Sequence, residues 1–245
     1  AGTGILSYFA SHRARKVYAV EADPEVARLG RGLVQANGLE GQVDYQAGAA
    51  ELQLPAEPVD VVICEMLHVA LAVEQQVPVM NGIHRQLTAR FPGHPYKVIP
   101  QAAVNYCQLV QADFGFYGYQ APFVRLGNPY IADPSVVALS PIAPYADVHF
   151  DALAPEHIAG ACRLEVNACG ELNAIRLLTQ AVLSLDAALP PEQRLIDWYL
   201  HFLLVPLPTR WRVEPGAAFL VDLEYDAGCP LEGISLQVGP ASTTR

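Results

Sequence analysis

Basic residues are scarce in this 245-residue chain: 15 Lys and Arg stand against 25 Asp and Glu, a formal net charge of −10. A chain so poor in cations lacks the phosphate-neutralising groups that non-specific nucleic-acid binding needs, so that class of partner is set aside. Its acidity is compatible with a basic protein or peptide substrate, although many ordinary cytosolic enzymes are equally acidic. Cysteine is sparse too. The five cysteines are scattered, odd in number and without a C-x-x-C, which speaks against zinc and reads as reduced thiols in a cytoplasmic protein. No apolar run reaches membrane-spanning length, and no signal peptide is visible. Charged residues make up only 16% and apolar ones 52%, which excludes disorder and leaves ample material for one large domain or two modest ones. An initiator Met is missing, and so is the strand that should feed the first loop. An open parallel sheet puts that strand at its centre, so the sequence is expected to be the later part of a longer chain.

What is present begins at once. Ala1-Gly2-Thr3-Gly4-Ile5-Leu6-Ser7 is a G-x-G turn leading into an apolar helix, and Val17-Tyr18-Ala19-Val20-Glu21 is a strand that ends in a carboxylate. Glycines let backbone approach a ligand where a Cβ would clash, and an acidic residue about twenty positions on can accept from ribose hydroxyls. Ser7 stands where a dinucleotide fingerprint has its third glycine. That favours S-adenosyl-L-methionine, which has no pyrophosphate, over NAD.

Up to about Pro100 helices alternate with short apolar strands, the pattern of a parallel α/β sheet. Helices are expected at Ile5–His12, from Asp23-Pro24 to Ala36, and at Glu74–Arg90. Strands are expected at Lys16–Val20, Val43–Gln46 and Val59–Cys64, the last read as buried. Beyond Pro100 alternation dominates at Gln101–Gln111, Cys162–Val166, Ile175–Leu185, Tyr199–Val205 and Phe219–Tyr225, the mark of an antiparallel, barrel-like β domain. The expected domains are therefore 1–100 and 101–245. An aromatic-rich insertion at about 113–145 is too long for an idle loop. Within it, Asn128-Pro129-Tyr130 reads as a turn.

Open α/β sheets bind ligands beyond the carboxyl ends of their strands. Glu65 ends the third such strand, and Glu74 follows nine residues later. Two carboxylates at that separation can sit on the limbs of a hairpin-like loop and converge on one cation, for which a planar guanidinium is the best-matched partner. His68, between them, is a candidate base or a packing residue.

These segments, with Ala50-Glu51-Leu52-Gln53-Leu54-Pro55, resemble the protein arginine N-methyltransferases. Glu65 and Glu74 match the two glutamates of that family's double-E loop in context and separation. The resemblance is specific over residues 1–100 and architectural over 101–245. It implies an α/β fold in which a Rossmann-like class I methyltransferase sheet, its first strand missing from the chain, precedes a β-barrel-like domain. It also implies a methyltransferase using S-adenosyl-L-methionine, with Ala1, Gly2 and Gly4 beside its methionine part, Glu21 on its ribose, and Ala49 and Glu51 near its adenine. Glu65 and Glu74 would clamp a substrate guanidinium, and the insertion would be a homodimerisation arm. The family's loop aromatic, glycine and tyrosine are replaced here by Met66-Leu67-His68-Val69. For its Thr-His-Trp signature, Ile196-Asp197-Trp198 is the nearest segment, with Asp197 and Trp198 candidates to border the site. Two rivals are the same fold acting on a small molecule or RNA, and a non-catalytic protein-binding module.

Overall fold

Two kinds of patterning along the chain produce two units. The computed structural model describes residues 1–196 and 201–241, so Asp197 and Trp198 lie outside the described residues. One unit is Ala1–Glu65 with Val79–Ile99; the other is Met66–Pro78 with Pro100–Arg245.

In the first unit α1 (Ile5–Ser11), β1 (Val17–Glu21), α2 (Pro24–Ala36) and β2 (Val43–Ala47) follow in order, and β2 returns parallel to β1 with Glu21 opposite Ala47. Asp23 caps α2: its Oδ1 accepts from the N–H groups of Glu25 and Val26 at 2.8 and 3.0 Å, while Pro24 fills a first-turn position where no donor is needed. The helix stops at Asn37, and Gly38 takes the left-handed turn at φ 68°. Its buried stripe of Ala27, Gly30 and Val34 repeats at helical spacing. Ala27 and Val34 pack with Ala19, Val43 and Tyr45.

The second parallel pair is β3 (Val61–Ile63) and, after α3 (Gln76–Arg90), β4 (Lys97–Ile99). Among the described residues no ladder joins it to β1–β2. The strand expected at Val59–Cys64 is shorter, and among the described residues Val61 and Ile63 are 46% and 42% exposed. An all-apolar strand is buried only when neighbours and layers cover it, and among the described residues β3 pairs with β4 alone. α1 is likewise turned outward, with Ser7 and Ser11 buried and Ile5, Leu6 and Phe9 exposed.

The second unit is antiparallel. β5 (Ala102–Ala112) opens it, and the insertion follows: the hairpin β6 (Gly115–Phe116) and β7 (Tyr119–Gln120), then β8 (Arg125–Gly127) and β9 (Val136–Ala138). Next come β10 (Ala143–His149), β11 (His157–Glu165) and β12 (Gly170–Val182), the short α4 (Pro191–Arg194) and β13 (Leu195–Ile196). β14 (Phe202–Val213), β15 (Ala218–Asp226) and β16 (Ser235–Pro240) complete it. The larger sheet runs β10-β5-β12-β14-β8, with β9 on β5 and β13 on β12; the smaller runs β11-β15-β16. The long β5–β12 ladder sets Ala102 opposite Val182 and Val110 opposite Ala174. Leu109, Ile175, Leu177, Leu203 and Leu223 are fully buried or nearly so.

Polar groups stitch the two sheets. The hydroxyls of Tyr145 and Tyr225 meet at 2.7 Å, and the thiols of Cys107 and Cys162 at 2.9 Å. Gly160 on β11 passes so close to β10 that a Cβ there would lie 2.0 Å from the Tyr145 carbonyl oxygen, which is why a glycine interrupts that strand. In the insertion the hairpin turns at Tyr117 and Gly118, both at positive φ, and Phe116, Tyr117, Tyr119 and Tyr130 face solvent. Asn128 Oδ1 accepts from the Tyr130 N–H at 2.8 Å, the expected turn. No helix among the described residues is long and apolar enough to cross a membrane.

Candidate functional site

The carboxyl ends of β1 and β2 gather the first set of expected site residues. Gly2 and Gly4 both have positive φ, 58° and 86°, so the loop needs glycine at these two positions. A Cβ at Gly2 would meet nothing within 4 Å, which leaves the backbone there open to a ligand. Glu21 Oε2 accepts from the Gly2 N–H at 2.8 Å and the Ala1 nitrogen at 2.9 Å, and Oε1 accepts from the Asp23 N–H at 3.0 Å. Burial opposes ionisation of this carboxyl, but those donors outweigh it and hold its pKa at about 2. Glu21 is thus a fixed carboxylate. Of its about four acceptor positions three are filled, which leaves Oε1 able to take a further donor.

The tip of β2 joins this corner through the Gly48 N–H, which donates to the Glu21 carbonyl at 2.8 Å. Ala49 follows half-buried and precedes the 3-10 turn Ala50–Leu52. Glu51 packs against α3, where a Cβ on Gly82 would come within 2.8 Å of its own Cβ.

Tyr45 is a site residue that sequence reasoning missed. It is buried on β2, and its hydroxyl donates to the Gly2 carbonyl at 2.5 Å. Its ring fills the space that Gly30 leaves empty, since a Cβ there would sit 2.4 Å from Tyr45 Cζ. The signal lay in the pair: a glycine in the buried stripe of α2 opposite an inward-facing aromatic.

The second set lies around residues 64–76. Cys64 follows β3 and donates its N–H to the Ile99 carbonyl at 3.0 Å. Burial, with the neighbouring Glu65 carboxylate adding to it, pushes the Cys64 thiol up to about 12, so it is an inert packing group. Glu65 and Glu74 are both exposed. Between them the chain makes one 3-10 turn, Val69–Leu71, and Gln76 closes the neck: fully buried, its Oε1 accepts from the Met66 N–H at 2.9 Å. The far side is tied to the loop after β15. Val73 donates to the Cys229 carbonyl, Gly228 donates to the Leu71 carbonyl (each 2.8 Å), and Gln75 Nε2 donates to the Gly228 carbonyl at 2.9 Å. His68 lies beside the Val69 carbonyl, with Nδ1 3.2 Å from the oxygen. Gln76 was missed as well; in the polar run Glu74-Gln75-Gln76 at the expected helix start it looked ordinary.

Comparison with known proteins bears on the class of domain and on the fold. Residues 1–90 match the family model for a methyltransferase domain. An uncharacterized protein of Methanocaldococcus jannaschii is 29% identical over 240 residues, 97% of this chain and 83% of its own length. The histone-arginine methyltransferase CARMER of Culex quinquefasciatus is 44% identical over 79 residues, 31% of this chain and 13% of its own length. Among solved structures, the Trypanosoma brucei PRMT1 enzyme–prozyme heterotetramer with AdoHcy superposes with a TM-score of 0.73 at 20% identity, covering 99% of this chain and 83% of that one.

The α/β unit with its glycine loop and fixed carboxylate is that of a methyltransferase, and S-adenosyl-L-methionine is the cofactor to which it corresponds. Its α/β unit and barrel together have the fold of the protein arginine methyltransferases.

Tyr45→Phe tests the support of the glycine loop. It keeps the ring and deletes one hydrogen bond, so calorimetry is expected to show S-adenosylmethionine affinity lowered about fivefold to tenfold, the worth of one such bond.

Proposed function

We propose that this protein transfers a methyl group from S-adenosyl-L-methionine to a guanidinium nitrogen of arginine in a basic protein or peptide. The observation that carries the reading is the 65–74 loop: two carboxylates at its ends, its neck closed by Gln76. When bound, the cofactor supplies an electrophilic methyl group on a sulfonium. Backbone at Ala1, Gly2 and Gly4 would border its methionine part, the open position on Glu21 Oε1 would take a ribose hydroxyl, and Ala49 and Glu51 would lie at its adenine.

Glu65 and Glu74 have the other task. A guanidinium stays protonated and delocalised at neutral pH, which makes it a poor nucleophile. Two carboxylates localise its charge on the nitrogens they contact and leave the opposite nitrogen richer in electrons. They also fix its plane for in-line attack, and positioning of this kind lowers a barrier by several kcal/mol. The net charge of −10 favours basic acceptors and disfavours RNA.

The same reading makes the protein a cytoplasmic homodimer. The exposed aromatics of the insertion and the outward apolar face of α1 in a second copy are the surfaces it would join. The experiment is methyl transfer from labelled cofactor to arginine-rich peptides, with the same peptides carrying lysine, an RNA pool and a metabolite extract as rival acceptors. Label in the arginine peptides alone supports the proposal. Label only in RNA or metabolites overturns the acceptor, and no binding of S-adenosylmethionine overturns the enzyme.

A further inference from the structure

The loop between Glu65 and Glu74 holds three non-glycine residues in the left-handed region, Ala70 at φ 62°, Leu71 at 54° and Val73 at 66°. Side chains resist that conformation, and it persists only where the surroundings over-determine it. Most of the ties are backbone to backbone. One comes from a buried side chain: the Ala70 N–H donates to Thr179 Oγ1 at 2.7 Å.

Thr179 lies in the middle of β12 with no exposure, directly opposite Asn105 on β5. A threonine hydroxyl can rotate and can donate or accept. Here its proton has one destination, Asn105 Oδ1 at 2.7 Å, and that commitment turns a lone pair toward Ala70. The arrangement leaves Asn105 Nδ2 buried with no partner, an exception of the kind that calls for a reason. Two apolar residues at 105 and 179 would serve the barrel core without stranding Asn105 Nδ2, but they would leave the buried Ala70 N–H without its acceptor, so the pair finds its reason in the loop. Held by this relay, Ala70 starts the run of strained residues that ends at Val73, immediately before Glu74.

We propose that Asn105 and Thr179 are positioning residues for acceptor binding, a buried two-residue relay that holds the 66–78 loop in its strained form and thereby places Glu74. The proposal rests on the reading of Glu74 as a guanidinium ligand. Both residues act through the loop and touch no reacting atom.

The test compares Thr179→Val, which keeps the shape and deletes the hydroxyl, with Thr179→Ser, which keeps the hydroxyl. Three measurements on the full chain separate the effects: amide exchange at residues 70–73, kinetics with an arginine peptide, and calorimetry with S-adenosylmethionine. Thr179→Val is expected to lose about tenfold in protection at Ala70 and to raise peptide KM about tenfold with a smaller fall in kcat, the worth of one buried hydrogen bond. Cofactor affinity stays at the wild-type value, and Thr179→Ser restores both protection and KM. Wild-type protection and KM in Thr179→Val, or a serine variant as impaired as the valine one, overturns the relay. If the wild-type protein methylates no arginine peptide, the functional reading fails on its own, and the exchange at Ala70 still decides whether the relay holds the loop. Should Thr179→Val not fold, Asn105→Ala frees the hydroxyl to rotate; lower protection at Ala70 supports the proposal and unchanged protection overturns it.

Discussion

Glu65→Gln and Glu74→Gln are each expected to lower kcat for an arginine peptide by about 10²- to 10³-fold, the cost of removing one preorganised charge partner from a reacting centre. Cofactor affinity should stay close to wild type, because neither residue takes part in the hydrogen bonds that join Gly2 and Asp23 to Glu21. Glutamine has nearly the shape of glutamate, so a loss of rate reports charge rather than packing. It also replaces one of two acceptor oxygens by an amide NH₂, which a cation that offers only donors cannot use. An uncharged acceptor would not notice the change. Single-turnover kinetics on both variants separates the cases. A tenfold rise in KM at constant kcat would reduce the pair to a docking feature, and unchanged kinetics would remove the clamp altogether.

The same pair shows how far sequence carries. Glu65 and Glu74 stood out because a strand end and a fixed separation are one-dimensional facts. The corner of Gly2, Gly4 and Glu21 was legible for that reason too, and the structure brings these residues within one hydrogen-bond network. β11 and β15 of the smaller sheet declared themselves by alternation, since each has one face in the core and one outside.

What stayed hidden depends on partners distant in the chain. Thr179 meets Ala70 across 109 residues, and Tyr45 meets Gly2 across 43. Neither residue is marked by its neighbours in sequence. The exposure of Val61 and Ile63 was hidden for the complementary reason. Apolar character is local, whereas burial is a property of what pairs with the strand, and among the described residues β3 has one partner.

Glu21 allows a test of the cofactor corner that needs no acceptor. Glu21→Gln is expected to weaken S-adenosylmethionine binding by about 10- to 100-fold, the range for losing a hydrogen bond to a charged group. The amide NH₂ also replaces either Oε2, which accepts from the Ala1 and Gly2 nitrogens, or Oε1, which accepts from the Asp23 nitrogen, so the loop loses one of the two acceptors around which it is folded. The pH dependence follows from the direction of the shift. The folded pKa of about 2 lies below the ordinary 4.5, so ionised Glu21 contributes stability that is complete above pH 4.5 and is lost as pH falls through about 2. Binding of the cofactor should therefore show no titration from this group between pH 5 and 8. Acid unfolding followed by circular dichroism should show a component between pH 4.5 and 2 in the wild-type protein that Glu21→Gln lacks. A variant that unfolds along the wild-type acid curve and binds the cofactor as tightly would mean that the loop is held by its glycines and Tyr45 alone, with the carboxylate a bystander.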